Sequence, residues 1–225
     1  MNIAIIPAKQ HSRRFPNKNI KKFFGRPLIL WTIDILKKTK LFKKIYVSTD
    51  SKLINKLLKK KKNIEIIKRP KSLITKQSTT IQVIKHAVKY LKNKKIFPKY
   101  VCCMYPAAPN TDYNKVIFAF KIVRKNRNKF IFPALVKSGL KDKKIFLTSI
   151  KKIKKNLIND CFYDAGQFYL ANTKTWLNSK KIIKNGSKII LLKRNESVDI
   201  DTYSDFLKAK KIFKQKHLKP INKSL

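Results

Sequence analysis

The chain has 225 residues and a mass of 26.4 kDa, which fits one domain of ordinary size. Hydrophobic residues make up 43% of the sequence and aromatic residues 11%, so the chain can bury a core and wholesale disorder is excluded. No apolar run approaches the roughly 20 residues that a membrane-spanning helix needs. The three cysteines are an odd number, and two of them are adjacent, which excludes a disulfide framework and indicates a reducing cytoplasm.

A second compositional feature is the net charge of +45, which comes from 56 basic and 11 acidic residues. Such a charge favours binding to polyanions, because each cation placed near a phosphate releases a counterion. Only seven of the basic residues are arginine, although arginine is the side chain that holds phosphate and guanine at two points. The lysines are spread along the whole chain, so we interpret the charge as compositional bias that brings non-specific polyanion binding with it.

Short apolar runs bounded by breaking residues alternate with helical patterns along the chain. The first strand is predicted at Ile3–Pro7, and the first helix opens at Pro27, where the missing N–H of proline costs nothing. The elements that follow are strands at Ile45–Val47 and Ile64–Ile67, a helix from about Thr80, a strand at Val101–Met104, a helix over 113–127, strands at Phe130–Leu135, Gly166–Leu170 and Ile189–Leu192, and a last helix over 203–213. This alternation predicts a three-layer, Rossmann-like α/β fold around a mostly parallel central sheet.

Residues 137–165 interrupt the alternation and are predicted as an insert, because lysine is frequent there and no clear periodicity is visible before Gly166. Such a segment suits a flap over the site or a dimerisation arm. We expect a single domain over residues 1–216 and a frayed tail over residues 217–225. Ligands of open α/β sheets bind beyond the carboxyl ends of the strands, so functional residues are expected in the loops there.

The loop after the first strand concentrates cationic and polar side chains between Lys9 and Asn19. At the carboxyl end of a strand, such a loop suits a pyrophosphate, because lysine and arginine neutralise its charge while backbone N–H groups surround its oxygens. Almost every loop of this chain is basic, so a solvated loop without a ligand accounts for the pattern equally well.

Two acidic residues stand near the end of the chain, in the segment from Ser197 to Thr202. In an extended strand, Asp199 and Asp201 would point to the same side. Two carboxylates at that spacing suit Mg²⁺, which takes few protein ligands and completes its shell with water and phosphate oxygens. The alternative is that Asp201 caps the helix that follows. Because the whole chain has only 11 acidic residues, we favour the metal site.

Several motifs, taken in order, resemble the sugar-acid cytidylyltransferases, which activate nonulosonic acids such as sialic acid as CMP-sugars. The resemblance covers about residues 2–213. The motifs are Ile5–Ala8 with the basic loop, Lys18–Ile20, Gly25–Leu28, Val47–Asp50, Arg69–Pro70, Tyr105–Pro109 and Val198–Thr202. The segment Asp164–Tyr169 and the strand that holds Cys102 and Cys103 resemble the pseudaminic acid branch of this family.

The resemblance implies a nucleotidyltransferase that requires CTP and Mg²⁺, forms a homodimer and supplies flagellar or other surface glycosylation with a CMP-sugar. By position, the residues implied around the triphosphate are Lys9, Ser12, Arg13, Lys18 and Asn19. Those implied around the cytidine are Arg69, Ser78 and Thr80, and those around the sugar acid are Tyr105 and Gln167. Asp199 and Asp201 match the metal carboxylates, and the residues expected to be catalytic are Arg13, Lys18 and Asp201.

The chain departs from the family pattern in the basic loop, where Lys9, Gln10 and His11 replace an arginine and two glycines. Glycine lets the backbone approach phosphate closely, so these changes leave open a slow or impaired enzyme. Two alternatives therefore stand beside the leading hypothesis. One is a catalytically impaired relative that binds polyanions or nucleic acid, and the other is a cytidylyltransferase for another sugar acid.

Overall fold

The computed structural model describes residues 1–136, 162–184, 186–193 and 196–217. Most of the predicted insert, Cys161 and the tail after His217 lie outside the described residues. Within them, the helices are too short or too polar to cross a bilayer. The adjacent Cys102 and Cys103 are free thiols, fully buried, and burial raises the pKa of both.

One eight-stranded sheet forms the centre of the described part of the chain. Its strands are β1 (Asn2–Pro7), β4 (Lys44–Thr49), β5 (Ile64–Lys68), β6 (Tyr100–Met104), β7 (Ile131–Val136), β8 (Phe162–Asp164), β9 (Phe168–Asn172) and β10 (Lys188–Leu192). A separate hairpin pairs β2 (Lys22–Phe23) with β3 (Arg26–Pro27). The strand order is β10-β7-β9-β6-β1-β4-β5, with β8 paired to β7. Only β8 and β9 run antiparallel to their neighbours in this sheet, so the predicted mostly parallel sheet is confirmed.

Helices cover both faces of the sheet. They are α1 (Leu28–Lys38), α2 (Lys52–Leu58), α3 (Thr80–Asn93), α4 (Tyr113–Lys125), α5 (Thr173–Asn178) and α6 (Tyr203–His217). One face is covered by α3 and α5, whose Ile84 and Trp176 join the same buried cluster. The other is covered by α1, α2 and α4, whose Ile33, Ile54 and Val116 share a second cluster. The central strands are apolar on both sides for this reason, and the predicted three layers are confirmed.

Two predicted strands differ from the structure. The strand expected at Gly166–Leu170 begins later, at Phe168, because Gly166 takes a left-handed φ of 60° that no strand allows. The acidic segment, defined here as residues 197–202, is not a strand. The N–H groups of Asp201 and Thr202 donate to the carboxylate of Asp205 instead of to a neighbouring strand. The end of the predicted insert also differs, since Phe162–Asp164 pairs with β7 in the sheet.

The turn after β6 is fixed by one buried side chain of α1. The hydroxyl of Thr32 lies 3.2 Å from the carbonyl oxygen of Tyr105 and 3.0 Å from that of Pro106, and it accepts from the N–H of Ala108 over 3.4 Å. Thr32 is fully buried, so water cannot replace these bonds. The first covering helix therefore sets the backbone at the carboxyl end of the central strands.

We expect the Thr32→Val variant to lose about 1–3 kcal/mol of unfolding free energy, because a buried carbonyl and N–H lose their partner. Thr175 is the matched control, since its hydroxyl is buried but has no hydrogen-bond partner among the described residues. Thr175→Val should be neutral or stabilising. Urea denaturation of both variants measures the difference, and equal losses would show that the Thr32 bonds contribute nothing.

Candidate active site

The basic loop, residues 9–19, leaves the carboxyl end of β1 and is anchored by three contacts. Asn19 is buried and donates from Nδ2 to the carbonyl of Lys9 over 2.9 Å. The N–H of Gln10 donates to Oδ1 of Asp50 over 2.9 Å. The ring of Phe15 packs edge-on against Phe206 of α6, with centroids 5.4 Å apart. These contacts hold the cations of the loop at one end of the sheet.

The backbone conformation of the basic loop does not require glycine at positions 10 and 11. The loop contains no glycine, and its one residue with a positive φ is Asn17, with φ 54°. Asparagine tolerates that conformation well. Gln10 and His11 therefore carry no backbone strain from their side chains. The departure from the family pattern at these two positions has no conformational cost in this loop.

The acidic segment lies against the basic loop. Lys18 donates from Nζ to the carbonyl of Ile200 over 2.7 Å and to Oδ1 of Asp201 over 3.0 Å. The guanidinium of Arg14 pairs with the other oxygen of Asp201. Ile200 is fully buried in a cluster with the aromatic rings of α6. Two segments more than 180 residues apart in the sequence thus form one surface.

The two roles considered for Asp201 can now be separated. The N-terminus of α6 is capped by Thr202 and Asp205. Oγ1 of Thr202 accepts from the N–H of Asp205 over 3.2 Å, and the Asp205 carboxylate accepts from the N–H of Thr202 over 2.9 Å. This reciprocal arrangement is a capping box. The carboxylate of Asp201 takes no part in it and faces Arg14 and Lys18. The capping alternative is therefore wrong for Asp201.

The other carboxylate, Asp199, lies beside Gly166. A Cβ at Gly166 would stand 2.5 Å from Cγ of Asp199, so a larger residue would displace the carboxylate. Partial loss of hydration and the negative charge of Asp201 raise the pKa of Asp199 to about 6, although Lys18 opposes the rise. A cation bound between Asp199 and Asp201 would offset the repulsion between the two carboxylates.

A cleft with a volume of about 320 Å³ opens between the basic loop, the acidic segment and the start of α3. Ten predicted site residues line it: Lys9, Ser12, Lys18, Asn19, Arg69, Ser78, Thr80, Tyr105, Asp199 and Asp201. Arg69 is buried and donates to the carbonyl of Ser48 over 2.7 Å. Burial lowers the pKa of Arg69, while nearby Asp50 raises it. The loops at the carboxyl ends of β1, β5 and β6 thus converge on one cleft.

Two predicted residues lie elsewhere. Arg13 is exposed and does not line the cleft. Gln167 is buried, donates from Nε2 to Oγ of Ser197 over 2.7 Å, and lines a separate cavity between α1, α4 and α6. That cavity is larger, about 810 Å³, and apolar residues such as Trp31 and Phe213 line it. Because the predicted phosphate and metal groups lie in the smaller cleft, we take the cleft as the candidate active site.

Three residues of the site were not predicted. Arg14 pairs with Asp201, Asp50 anchors the basic loop, and Asp164 accepts from the N–H of Gly166 over 3.0 Å and from the hydroxyl of Tyr169. The scarcity of acidic residues is the signal that could have found Asp50 and Asp164, since each directly follows or ends a strand. Nothing in the sequence distinguishes Arg14 from Arg13.

The residues of the cleft fit a Mg²⁺ ion. Asp199 and Asp201 both line it, and two carboxylates are enough when substrate phosphates and water complete the shell. The raised pKa of Asp199 is consistent with a cation at this place. A larger cluster of acidic, histidine or cysteine ligands is not found within the described residues. A cation would compete with Arg14 and Lys18 for the oxygens of Asp201.

Comparison with known proteins agrees with the geometry. A family model described as cytidylyltransferase matches residues 3–222. The pseudaminic acid cytidylyltransferase of Campylobacter jejuni is 29% identical over 96% of this chain and 97% of the relative. The N-acylneuraminate cytidylyltransferase of Escherichia coli is 25% identical over 98% of this chain and 54% of the relative. A solved CMP:2-keto-3-deoxy-manno-octonic acid synthetase, complexed with CTP, superposes with a TM-score of 0.69 at 11% identity, over 96% of this chain and 99% of that one.

The two carboxylates should respond to neutralisation with opposite signs. Asp199 titrates near pH 6 in the folded chain and near 3.9 in an unfolded one, so its ionisation opposes folding as the pH rises through this window. Because Asp199 is exposed and water screens its charge, we expect Asp199→Asn to raise the melting temperature at pH 7.5 only slightly, by about one degree, and the gain to vanish near pH 4. Asp201→Asn removes two cation contacts and should cost about 0.5–1 kcal/mol at pH 7.5.

The test is the melting temperature of the unmodified protein and both variants, measured with a chelator present so that no bound metal contributes. Both variants remove one negative charge at pH 7.5. The general repulsion of a highly basic chain therefore cancels in the comparison. A loss of stability in both variants at pH 7.5 would contradict the unfavourable environment assigned to the Asp199 carboxylate.

Proposed function

The chain belongs to the cytidylyltransferase family, and from this premise we propose that it transfers CMP from CTP to the anomeric hydroxyl of a nonulosonic acid. Pyrophosphate is the second product, Mg²⁺ is required, and pseudaminic acid is the proposed acceptor. One observation carries the proposal. The cations of the basic loop and the two carboxylates of the acidic segment face each other in one cleft, joined by Lys18.

The side chains of the cleft suit a nucleoside triphosphate. Lys9 and Lys18 place positive charge at the carboxyl end of β1, where it would offset the charge of the phosphates. The hydroxyl of Ser12 and the amide of Asn19 add polar contacts. Arg13 is exposed at the surface of the basic loop, so its predicted role requires the guanidinium to turn toward a bound triphosphate.

The reaction is an in-line displacement at phosphorus. The anomeric oxygen of the sugar acid forms a bond to the α-phosphorus, the proton of its hydroxyl passes to solvent water, and the bond between the α-phosphorus and the oxygen that bridges to the β-phosphate breaks. Negative charge grows on the departing pyrophosphate, and Lys9 and Lys18 are cations of this cleft that would offset it. Asp199 and Asp201 would hold Mg²⁺, which when bound supplies further positive charge to the phosphates.

The choice of sugar acid rests on relatives. The pseudaminic acid cytidylyltransferase of Campylobacter jejuni matches this chain along nearly its whole length. The segment Asp164–Tyr169, which resembles that branch, contributes a glycine beside Asp199 and a buried tyrosine behind the cleft. We further propose a cytoplasmic homodimer that supplies a CMP-sugar for flagellin or other surface glycosylation.

Release of pyrophosphate from CTP tests the proposal, with pseudaminic acid, sialic acid and manno-octulosonate offered in parallel and Mg²⁺ present or chelated. We expect release with pseudaminic acid, dependent on Mg²⁺. In Asp201→Asn the turnover number should fall roughly 100-fold or more, because charge stabilisation at the transition state is lost. Asp34→Asn is the matched control, since Asp34 pairs with Arg26 outside the cleft and its loss changes the net charge equally.

The arms of this experiment separate the alternatives. Release with only sialic acid or manno-octulosonate would replace the proposed acceptor and keep the reaction. Folded protein that releases no pyrophosphate with any acceptor would overturn the proposed function. A rate in Asp201→Asn equal to that of Asp34→Asn would overturn the part assigned to the acidic segment.

A further inference from the structure

The two carboxylates of the acidic segment are held in different ways. Both oxygens of Asp201 are paired with cations, one with Lys18 and the other with Arg14. Within the described residues, the carboxylate of Asp199 has no hydrogen bond or ion pair of its own, and Asp199 is exposed. The position of this carboxylate therefore depends on how the backbone is fixed on either side of it.

The backbone is anchored on both sides of Asp199. After it, Ile200 is fully buried, and the carbonyl of Ile200 accepts from Nζ of Lys18 over 2.7 Å. Before it, Ser197 is buried, and the hydroxyl oxygen of Ser197 accepts from Nε2 of Gln167 over 2.7 Å. The second anchor joins the acidic segment to the residue that directly precedes β9.

Gln167 is a rigid support for this second anchor. Its backbone carbonyl accepts from the N–H of Tyr105 over 2.9 Å, which ties it to the end of β6, and β9 begins at the next residue. Gln167 is itself buried, and it borders the larger cavity and not the cleft. Its amide is thus directed at Ser197 and away from the groups predicted to bind CTP.

The residue before Gln167 also limits where the carboxylate of Asp199 can lie. A Cβ at Gly166 would stand 2.5 Å from Cγ of Asp199, so the carboxylate lies directly against this backbone. One residue therefore bounds the side chain of Asp199 while the next fixes the backbone two residues before it. Groups that hold a metal ligand in place change the metal affinity when they are removed, although they do not touch the metal.

We propose that Gln167 is a positioning residue for the Asp199 carboxylate, which it holds in place through its hydrogen bond to Ser197. The inference rests on the proposed function, in which Asp199 and Asp201 hold Mg²⁺ beside the phosphates of CTP. It gives Gln167 a part in metal binding in place of the contact with the sugar acid that the family resemblance implies.

Calorimetry of CTP binding, without any sugar acid, tests the inference. The dissociation constant of CTP is measured with Mg²⁺ and with a chelator, and the ratio of the two constants reports how strongly metal and nucleotide favour each other's binding. Gln167→Met removes the donor and keeps the length of the side chain, and Ser197→Ala removes the acceptor. Ser187→Ala is the matched control, since its hydroxyl is also buried and hydrogen-bonded but lies at the amino end of β10, away from the cleft.

We expect the ratio to shift about tenfold against Mg²⁺ in both variants, while the dissociation constant with the chelator stays within about twofold. The double variant should shift the ratio no further than either single variant, because both changes remove the same bond. Ser187→Ala should leave the ratio unchanged. In the complete reaction, the KM for pseudaminic acid should be unchanged in Gln167→Met and Ser197→Ala.

An unchanged ratio would overturn the inference, and so would additive shifts in the double variant. A merely structural role would weaken CTP binding equally with and without Mg²⁺, which leaves the ratio as it was. A KM for pseudaminic acid that rises in Gln167→Met alone would return Gln167 to the sugar acid and would also overturn the inference.

Should one variant fail to fold, the other still measures the ratio. Failure of the proposed function has a different signature, because the binding measurements require no turnover. A protein that shows the expected shifts and releases no pyrophosphate with any acceptor would keep the role of Gln167 and lose the proposed reaction.

Discussion

The site depends on the contact between Lys18 and the acidic segment. One ammonium group binds a backbone carbonyl and a carboxylate from the far end of the sequence, and this contact closes the cleft on one side. It is held in place by packing on both sides, since Phe15 and Ile200 belong to the same buried cluster as Phe206. Burial of Phe15 and Ile200 brings the basic loop and the acidic segment together. This packing sets the distance between the Lys18 ammonium and the Asp201 carboxylate. The carboxylates could not be placed against the basic loop by electrostatics alone in a chain where cations are everywhere.

The fold could be predicted because its strands are apolar on both faces and its longer helices are amphipathic. Ile3 to Ile6, which form most of β1, are fully buried, and a short apolar run of this kind is typical of a strand covered on both faces. The short helices α2 and α5 were not predicted, because six or seven residues hold too little periodicity to be seen in a basic sequence. The antiparallel direction of β9 was also beyond sequence reasoning, because it depends on where residues 162–167 turn, and only the structure shows that Gly166 takes a left-handed φ.

The site was predicted less evenly. Residues that follow a strand or begin a helix, such as Arg69 and Thr80, could be found, because chain position alone places them at the edge of the sheet. Gln167 could not be assigned to a cavity, since a side chain next to a turn can face either way. Arg13 and Arg14 are adjacent, and the sequence offers no means of deciding which of them reaches Asp201. The acidic segment was predicted as an extended strand and is not one. The N–H groups of Asp201 and Thr202 donate to the carboxylate of Asp205, the third residue of α6, and so are not available to a neighbouring strand.

The rarity of glycine has a consequence for the unfolded chain. Of the four glycines in the sequence, the three at described positions all have positive φ angles, so glycine remains where the backbone requires it and is absent from the basic loop. A chain with few glycines samples fewer conformations when unfolded, and each replaced glycine removes about 0.4–1 kcal/mol of entropy that folding would otherwise lose. Self-repulsion among the lysines favours expanded states. Because the glycine-poor chain loses less entropy on folding, the folded state is favoured against this expansion without any new contact in the folded protein.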